Sequence, residues 1–143
     1  MMWLGGAGDR HALSVPRPLV LVVEDFDECR EMYAEALRVG GYRVIEAVNG
    51  LSALVQALAC DPDLIVMDIG LPMLDGCETI ERLRREAPTR GTPILVLSGH
   101  TRDVRRALEA GGDTFISKPC LPRTLLLSVR RLLSRRHARR LSS

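Results

Sequence analysis

The chain has 143 residues, 46% of them hydrophobic, and a formal net charge of +2. That length suits one domain, the apolar fraction supports a packed core and excludes a disordered polymer, and no apolar run approaches the ~18–20 residues that cross a bilayer. The charge is split: residues 1–122 hold 13 basic and 18 acidic side chains, while residues 123–143 hold seven arginines and no acid.

Residues 1–17 begin MMWLGGAGDRH, with no basic start and no periodic pattern. They read as a flexible leader, not a secretory signal, and a cytoplasmic protein is expected. The run Leu19–Val23 is wholly apolar, which suits a strand buried on both faces. Cys29, Met32, Tyr33, Ala36, Leu37 and Gly40 follow helical spacing, and Gly40-Gly41 is a helix stop. Residues 42–48 are mixed, as in an edge strand. Leu51, Leu54, Val55 and Leu58 give a second helical stripe behind Asn49, a good N-cap. Residues 64–67 form the third strand. Asp75 with Glu78 opens a helix continued by Ile80, Leu83 and Ala87. Residues 94–97 form the fourth strand, and Val104, Ala107 and Leu108 the fourth helix. Thr114–Ser117 is a short fifth strand, and Leu121, Leu125, Val129, Leu132 and Leu133 mark a fifth helix. Five strands alternating with five helices predict an α/β fold with right-handed crossovers and helices on both faces. The domain is assigned to residues 18–133, and residues 134–143 to an arginine-rich tail. The cysteines (Cys29, Cys60, Cys77, Cys120) form no CxxC pair and have no histidine at metal-ligand spacing, so they read as reduced side chains.

In open α/β sheets, ligands bind beyond the carboxyl ends of the strands. The first strand ends at Glu24-Asp25, the third at Asp68, the fourth at Ser98 and the fifth at Lys118-Pro119. The second ends at Val48-Asn49-Gly50 and offers nothing reactive. Singly, Asp25 could cap a helix, Ser98 could be a turn residue and Lys118 a solvated lysine. Asp68 is harder to dismiss, because a carboxylate directly behind four buried apolar residues is costly without partners. Lys118 also stands out as the only lysine beside 19 arginines. Together, three carboxylates would recruit a hard cation such as Mg²⁺. Lys118 and Ser98 would bind phosphoryl oxygens, and Asp68 would be the nucleophile.

The segments VVEDFDE, MDIGLPMLDG, LSG and DTFISKP, in that order, resemble the receiver domain of bacterial response regulators. The likeness covers residues 18 to about 133. It implies a flavodoxin-like doubly wound fold with a five-stranded parallel sheet in the order 2-1-3-4-5. It further implies that Asp68 is the phosphoacceptor and that Mg²⁺ is held by Asp25, Asp68 and the Gly70 carbonyl, with Glu24 acting through water. Ser98 and Lys118 would bind the phosphoryl group. Ser98 and Phe115 would form the switch, and Lys118-Pro119 would be a cis peptide. The donor would be a phosphohistidine on a sensor histidine kinase or a histidine phosphotransfer protein. The chain would be no enzyme beyond its own phosphotransfer and dephosphorylation.

Four departures bear on that pattern. Gly70 lacks a side chain that would screen the phosphoryl group, and His100 lies where relatives tune dephosphorylation. Gly99 replaces a more usual alanine, and Met73 a frequent glycine after Pro72. No output domain follows residue 133, and the termini resemble natural ones, so a stand-alone receiver is expected. It would act on a downstream protein through helix 4, strand 5 and helix 5, where Arg102, Arg105, Arg106, Arg130 and Arg131 would meet an acidic partner. The alternatives are a module of a larger hybrid kinase or multidomain regulator, and an aspartate-nucleophile phosphatase of the haloacid-dehalogenase kind. The latter needs a second aspartate where Gly70 stands. The tail SRRHARRLSS reads as a frayed helix end without aromatics for base stacking, so nucleic-acid binding is not expected. A monomer or weak dimer is expected.

Overall fold

The computed structural model describes residues 16–71 and 74–142. Most of the expected leader, together with Pro72 and Met73, lies outside the described residues. The elements run β1 (Leu19–Val23), α1 (Asp27–Val39), β2 (Arg43–Ala47), α2 (Gly50–Cys60), β3 (Leu64–Asp68), α3 (Gly76–Arg85) and β4 (Ile94–Ser98). A 3₁₀ turn (Thr101–Asp103), α4 (Val104–Ala110), β5 (Thr114–Ser117) and α5 (Pro122–Ser142) follow. The sheet is wholly parallel, in the order β2-β1-β3-β4-β5.

β1, β3 and β4 are buried at every position, which explains their unbroken apolar sequences. Alternate side chains feed two cores. Leu21, Val23, Ile65, Met67, Ile94 and Val96 pack under α2, α3 and α4. Val20, Val22, Leu64, Val66, Leu95 and Leu97 pack under α1 and α5 against Tyr33, Leu37, Leu125 and Val129. The caps form as expected: Asn49 accepts from the Ser52 N–H at 2.8 Å, and Asp75 from the Glu78 N–H at 2.9 Å.

Several helical readings need correction. On α2 the buried residues are Gly50, Ala53 and Ala57, while Leu51, Val55 and Leu58 face outward and only Leu54 packs partly inward. The helix sits so close to its neighbours that a Cβ on Gly50 would collide with Thr79 and Leu74, so small residues take the inner face. On α1 Met32 is exposed and Ala34 is buried in its place. α3 stops at Arg85, leaving Ala87 exposed in a turn, because the following Pro88 disfavours helical backbone before it. Likewise Leu121 lies before α5 and is exposed. The boundary drawn after residue 133 falls inside α5, which continues unbroken to Ser142.

One fastening had no local signature. Arg84 reaches from α3 under the sheet and donates to the carbonyls of Thr89, Arg90, Thr92 and Gly111, and to Asp113 at 3.0 Å. It ties the α3–β4 connection to the α4–β5 connection.

The phase of α2 can be checked by stability. Ala57→Leu should destabilise the fold by about 1–3 kcal/mol through overpacking. Val55→Gln should stay within about 0.5 kcal/mol. Urea unfolding of the two variants would show the reverse order if the outward stripe were the packed one.

Candidate functional site

The strand ends converge at one edge of the sheet. Burial lifts Glu24 and Asp68 out of water, at 1% and 6% exposure, while Asp25 remains exposed. The N-cap position of α1 is Phe26, with no side-chain cap, so Asp25 is not spent on capping that helix. One carboxylate oxygen from each of Glu24, Asp25 and Asp68 lies within 4.8 Å of the other two.

Lys118, at the end of β5, is the cation that answers them. Its Nζ donates to Glu24 Oε1 at 2.7 Å and to Asp68 Oδ2 at 3.4 Å. Burial draws the Lys118 ammonium down, but its bond to Glu24 and the charges of Asp68 and Glu24 outweigh this and hold it above its ordinary value. Burial pushes the Glu24 carboxyl up to about 7, against the pull of Lys118 and with added repulsion from Asp68. The second oxygen of Glu24 accepts from the Phe26 N–H at 3.1 Å. Asp68 Oδ1 accepts from the Gly70 N–H at 3.1 Å. The Lys118–Pro119 peptide is cis.

Ser98, 4% exposed, is turned away from this group. Its hydroxyl donates to the His100 carbonyl at 2.8 Å and accepts from the His100 N–H at 3.1 Å, while the Lys118 N–H donates to the Ser98 carbonyl. His100 is exposed, and so, at 39%, is Phe115 on β5. Gly70 is open: a Cβ there would meet only Asp68 Oδ1, at 3.7 Å. Gly99 has nothing within 4 Å of a Cβ.

Residue-by-residue reading missed two supports. Arg30 on α1 donates to the Glu24 carbonyl at 3.1 Å and to Asp27 and Glu46, which holds the end of β1. Gly76 lets the start of α3 close on the end of β3, since a Cβ there would collide with Ile69 and the Asp68 carbonyl. The glycine that ends MDIGLPMLDG was the available signal; Arg30 had none.

The all-oxygen donor set fits a hard divalent cation that keeps several waters, and Asp25 leaves the cluster open to solvent.

A model of the response regulator receiver domain matches residues 20–130, so the chain belongs to that family. Members are signalling domains that work with histidine kinases and bind Mg²⁺ at an acidic pocket. The transcriptional regulatory protein PrrA of Mycobacterium tuberculosis is 38% identical over 131 residues, covering 90% of this chain and 55% of PrrA. The chain therefore spans about half the length of that relative. The chemotaxis response regulator CheY4 of Vibrio cholerae is 30% identical with a TM-score of 0.78, over 82% of this chain and 99% of that one. The receiver domain of a sensor histidine kinase from Pseudomonas aeruginosa, solved with a magnesium ion in its active-site cleft, is 29% identical with a TM-score of 0.79, over 83% and 99%.

Removing the cation should expose the cost of the cluster. Lys118→Met should destabilise the metal-free protein by about 2 kcal/mol by stranding buried carboxylates. Adding Glu24→Gln should recover part of that loss. Urea unfolding in the presence of a chelator measures both, and an unchanged midpoint for Lys118→Met would contradict the pairing.

Proposed function

We propose that this chain is a phosphorylation-controlled receiver in which Asp68 accepts a phosphoryl group from a phosphohistidine on a sensor histidine kinase or a histidine phosphotransfer protein. The observation that supports this most directly is the placement of Asp68: buried, paired with Lys118, and grouped with Glu24 and Asp25 at one strand edge. Asp25, Asp68 and the Gly70 carbonyl would hold Mg²⁺, with Glu24 reached through water. When bound, that ion would neutralise charge on the phosphoryl oxygens.

In the transfer, a carboxylate oxygen of Asp68 attacks phosphorus while the phosphorus–nitrogen bond to the donor imidazole breaks. The imidazole keeps the electron pair and takes up a proton. Lys118 already touches Asp68 and has only to shift from Glu24 to meet a phosphoryl oxygen. Ser98 must give up its bond to the His100 carbonyl to donate to the phosphoryl group. Phe115 is exposed and stands on the strand beside Ser98, where an inward turn could follow that movement. Output would then pass through α4, β5 and α5 to a downstream protein. The reading places the chain in the cytoplasm, where nucleotide-fuelled histidine kinases act. A module of a larger regulator or hybrid kinase is the second reading, favoured by the chain's spanning only half of PrrA.

Incubation with Mg²⁺ and a small acyl-phosphate donor should place one acid-stable, base-labile phosphate on Asp68, located by mass. Asp68→Asn or removal of Mg²⁺ should abolish it, and uptake by Asp68→Asn would defeat the proposal.

The open space at Gly70, and exposed His100 nearby, leave the phosphoryl group accessible to water. Phosphate loss from the wild type should therefore not be slow, and Gly70→Asn should slow it severalfold. A wild-type half-life of many hours would contradict this.

A further inference from the structure

α2 and α3 lie side by side and point the same way. At their starts Gly50 abuts Thr79 and Leu74, and towards their ends Leu54 and Leu58 line a cavity of about 310 Å³ with Arg82, Arg85 and Glu86. α2, with the sequence GLSALVQALAC, carries no charged side chain. Along its outer side Leu51, Val55 and Leu58 are 45%, 68% and 45% exposed, and Val48, just before the helix, continues the row at 45%. Scattered exposed apolar residues are ordinary, but a contiguous row beside an uncharged helix marks an interaction surface.

The charges beside this row have a direction. On α3, Arg84 is paired with Asp113 at 3.0 Å and Arg85 with Glu81 at 3.9 Å. Glu78 and Arg82 stand one turn apart, both exposed, and neither forms a salt bridge among the described residues. Ile80 lies midway between them. Ala53 lies midway along the apolar row, both between Leu51 and Val55 and between Val48 and Leu58. The contacts of Gly50 with Thr79 and of Leu54 beside Arg82 put Ala53 and Ile80 level to within about one turn of helix.

We propose that this face pairs with the same face of a second copy of the chain, about a two-fold axis that crosses the helices at right angles at the level of Ala53 and Ile80. Such an axis sets the helices antiparallel, α2 on α2 and α3 on α3. Val48 then meets Leu58 of the second copy, Leu51 meets Val55, and Glu78 meets Arg82, each contact being made twice. The choice of a second copy rests on that charge order, because a glutamate followed one turn later by an arginine is its own complement when reversed. A parallel pairing would instead set Arg82 on Arg82 and Glu78 on Glu78. One axis serves both the apolar row and the charges, since their midpoints are level. α2 and α3 have 11 and 10 residues, so the patch is about 16 Å long, with the helices about 9 Å apart. It falls short of the ~800 Å² per partner of a standard interface, so the dimer is weak and reversible. It uses none of Asp25, Asp68, Ser98 or Lys118 and does not depend on phosphoryl transfer.

Sedimentation velocity of the whole chain, with a reductant to keep the exposed Cys60 a thiol, reads the dimer over a concentration series. The expected Kd lies between about 10 μM and 1 mM, as befits a small interface. Val55→Asp sets like charges against the centre of the apolar row and should raise Kd at least about tenfold. Val39→Asp, at a similarly exposed site on α1, should leave it unchanged. Arg82→Glu should raise Kd about fivefold at low salt, and adding Glu78→Arg should bring it back near the wild-type value. A monomer throughout, up to ~1 mM, would overturn the proposal. So would equal weakening by Val39→Asp, or no recovery in the doubly reversed variant.

Discussion

The molecule is organised around an electrostatic problem at one edge of its sheet. Three carboxylates are grouped with oxygens within 4.8 Å of one another, two of them buried, and a single ammonium faces them. Buried carboxylates are tolerated only when paired and hydrogen-bonded. Lys118 supplies the pairing, and the Phe26 and Gly70 N–H groups supply two hydrogen bonds. Even so, burial, with added repulsion from Asp68, holds Glu24 well above the usual carboxylate range against the pull of Lys118. Three carboxylates facing one ammonium leave room for a further hard cation among their oxygens.

Much of the remaining structure keeps this edge in place. The parallel register brings the ends of β1, β3, β4 and β5 level, so residues far apart in sequence arrive together. Gly76 allows α3 to close on the end of β3, and Arg30 holds the carbonyl that ends β1. On the other side of the sheet Arg84 ties two connections into one unit. The rigid edge contrasts with the Ser98–His100 turn, whose hydroxyl is held only by local bonds, donating to the His100 carbonyl and accepting from the His100 N–H.

The sheet and its polar edge were legible because both depend on short-range signals. A wholly apolar strand followed directly by Asp68 or Ser98 states burial and strand end in one stretch of sequence. The face of α2 was not legible in this way. Counting large apolar residues pointed to Leu51, Val55 and Leu58, but close packing admits only Gly50, Ala53 and Ala57 on the inner side. Helix ends failed where a local breaker outweighed periodicity, as Pro88 did at Ala87. Arg84 and Arg30 could not be read at all, since each is defined by carbonyls that only folding brings near. The course of the arginine tail was not legible for a related reason: composition shows the charge, but not that the helix runs on to Ser142 with Arg136 tied to Asp63.

α5 joins the two charged ends of the molecule. Its 21 residues span about 31 Å, from just beyond Lys118-Pro119 at the acidic edge to the arginine surface where the strands begin. Its middle is held by Leu125, Val129 and Leu132, all buried against the same face of the sheet. The acidic and basic ends are therefore kept apart by a packed helix and cannot neutralise each other within one molecule. At the acidic edge a small, hard cation and a phosphoryl group meet the geometry, because the oxygens converge on a point. At the arginine edge the charges lie along a helix tied to the start of β3 by Arg136 and Asp63, and no carboxylate cluster converges there among the described residues.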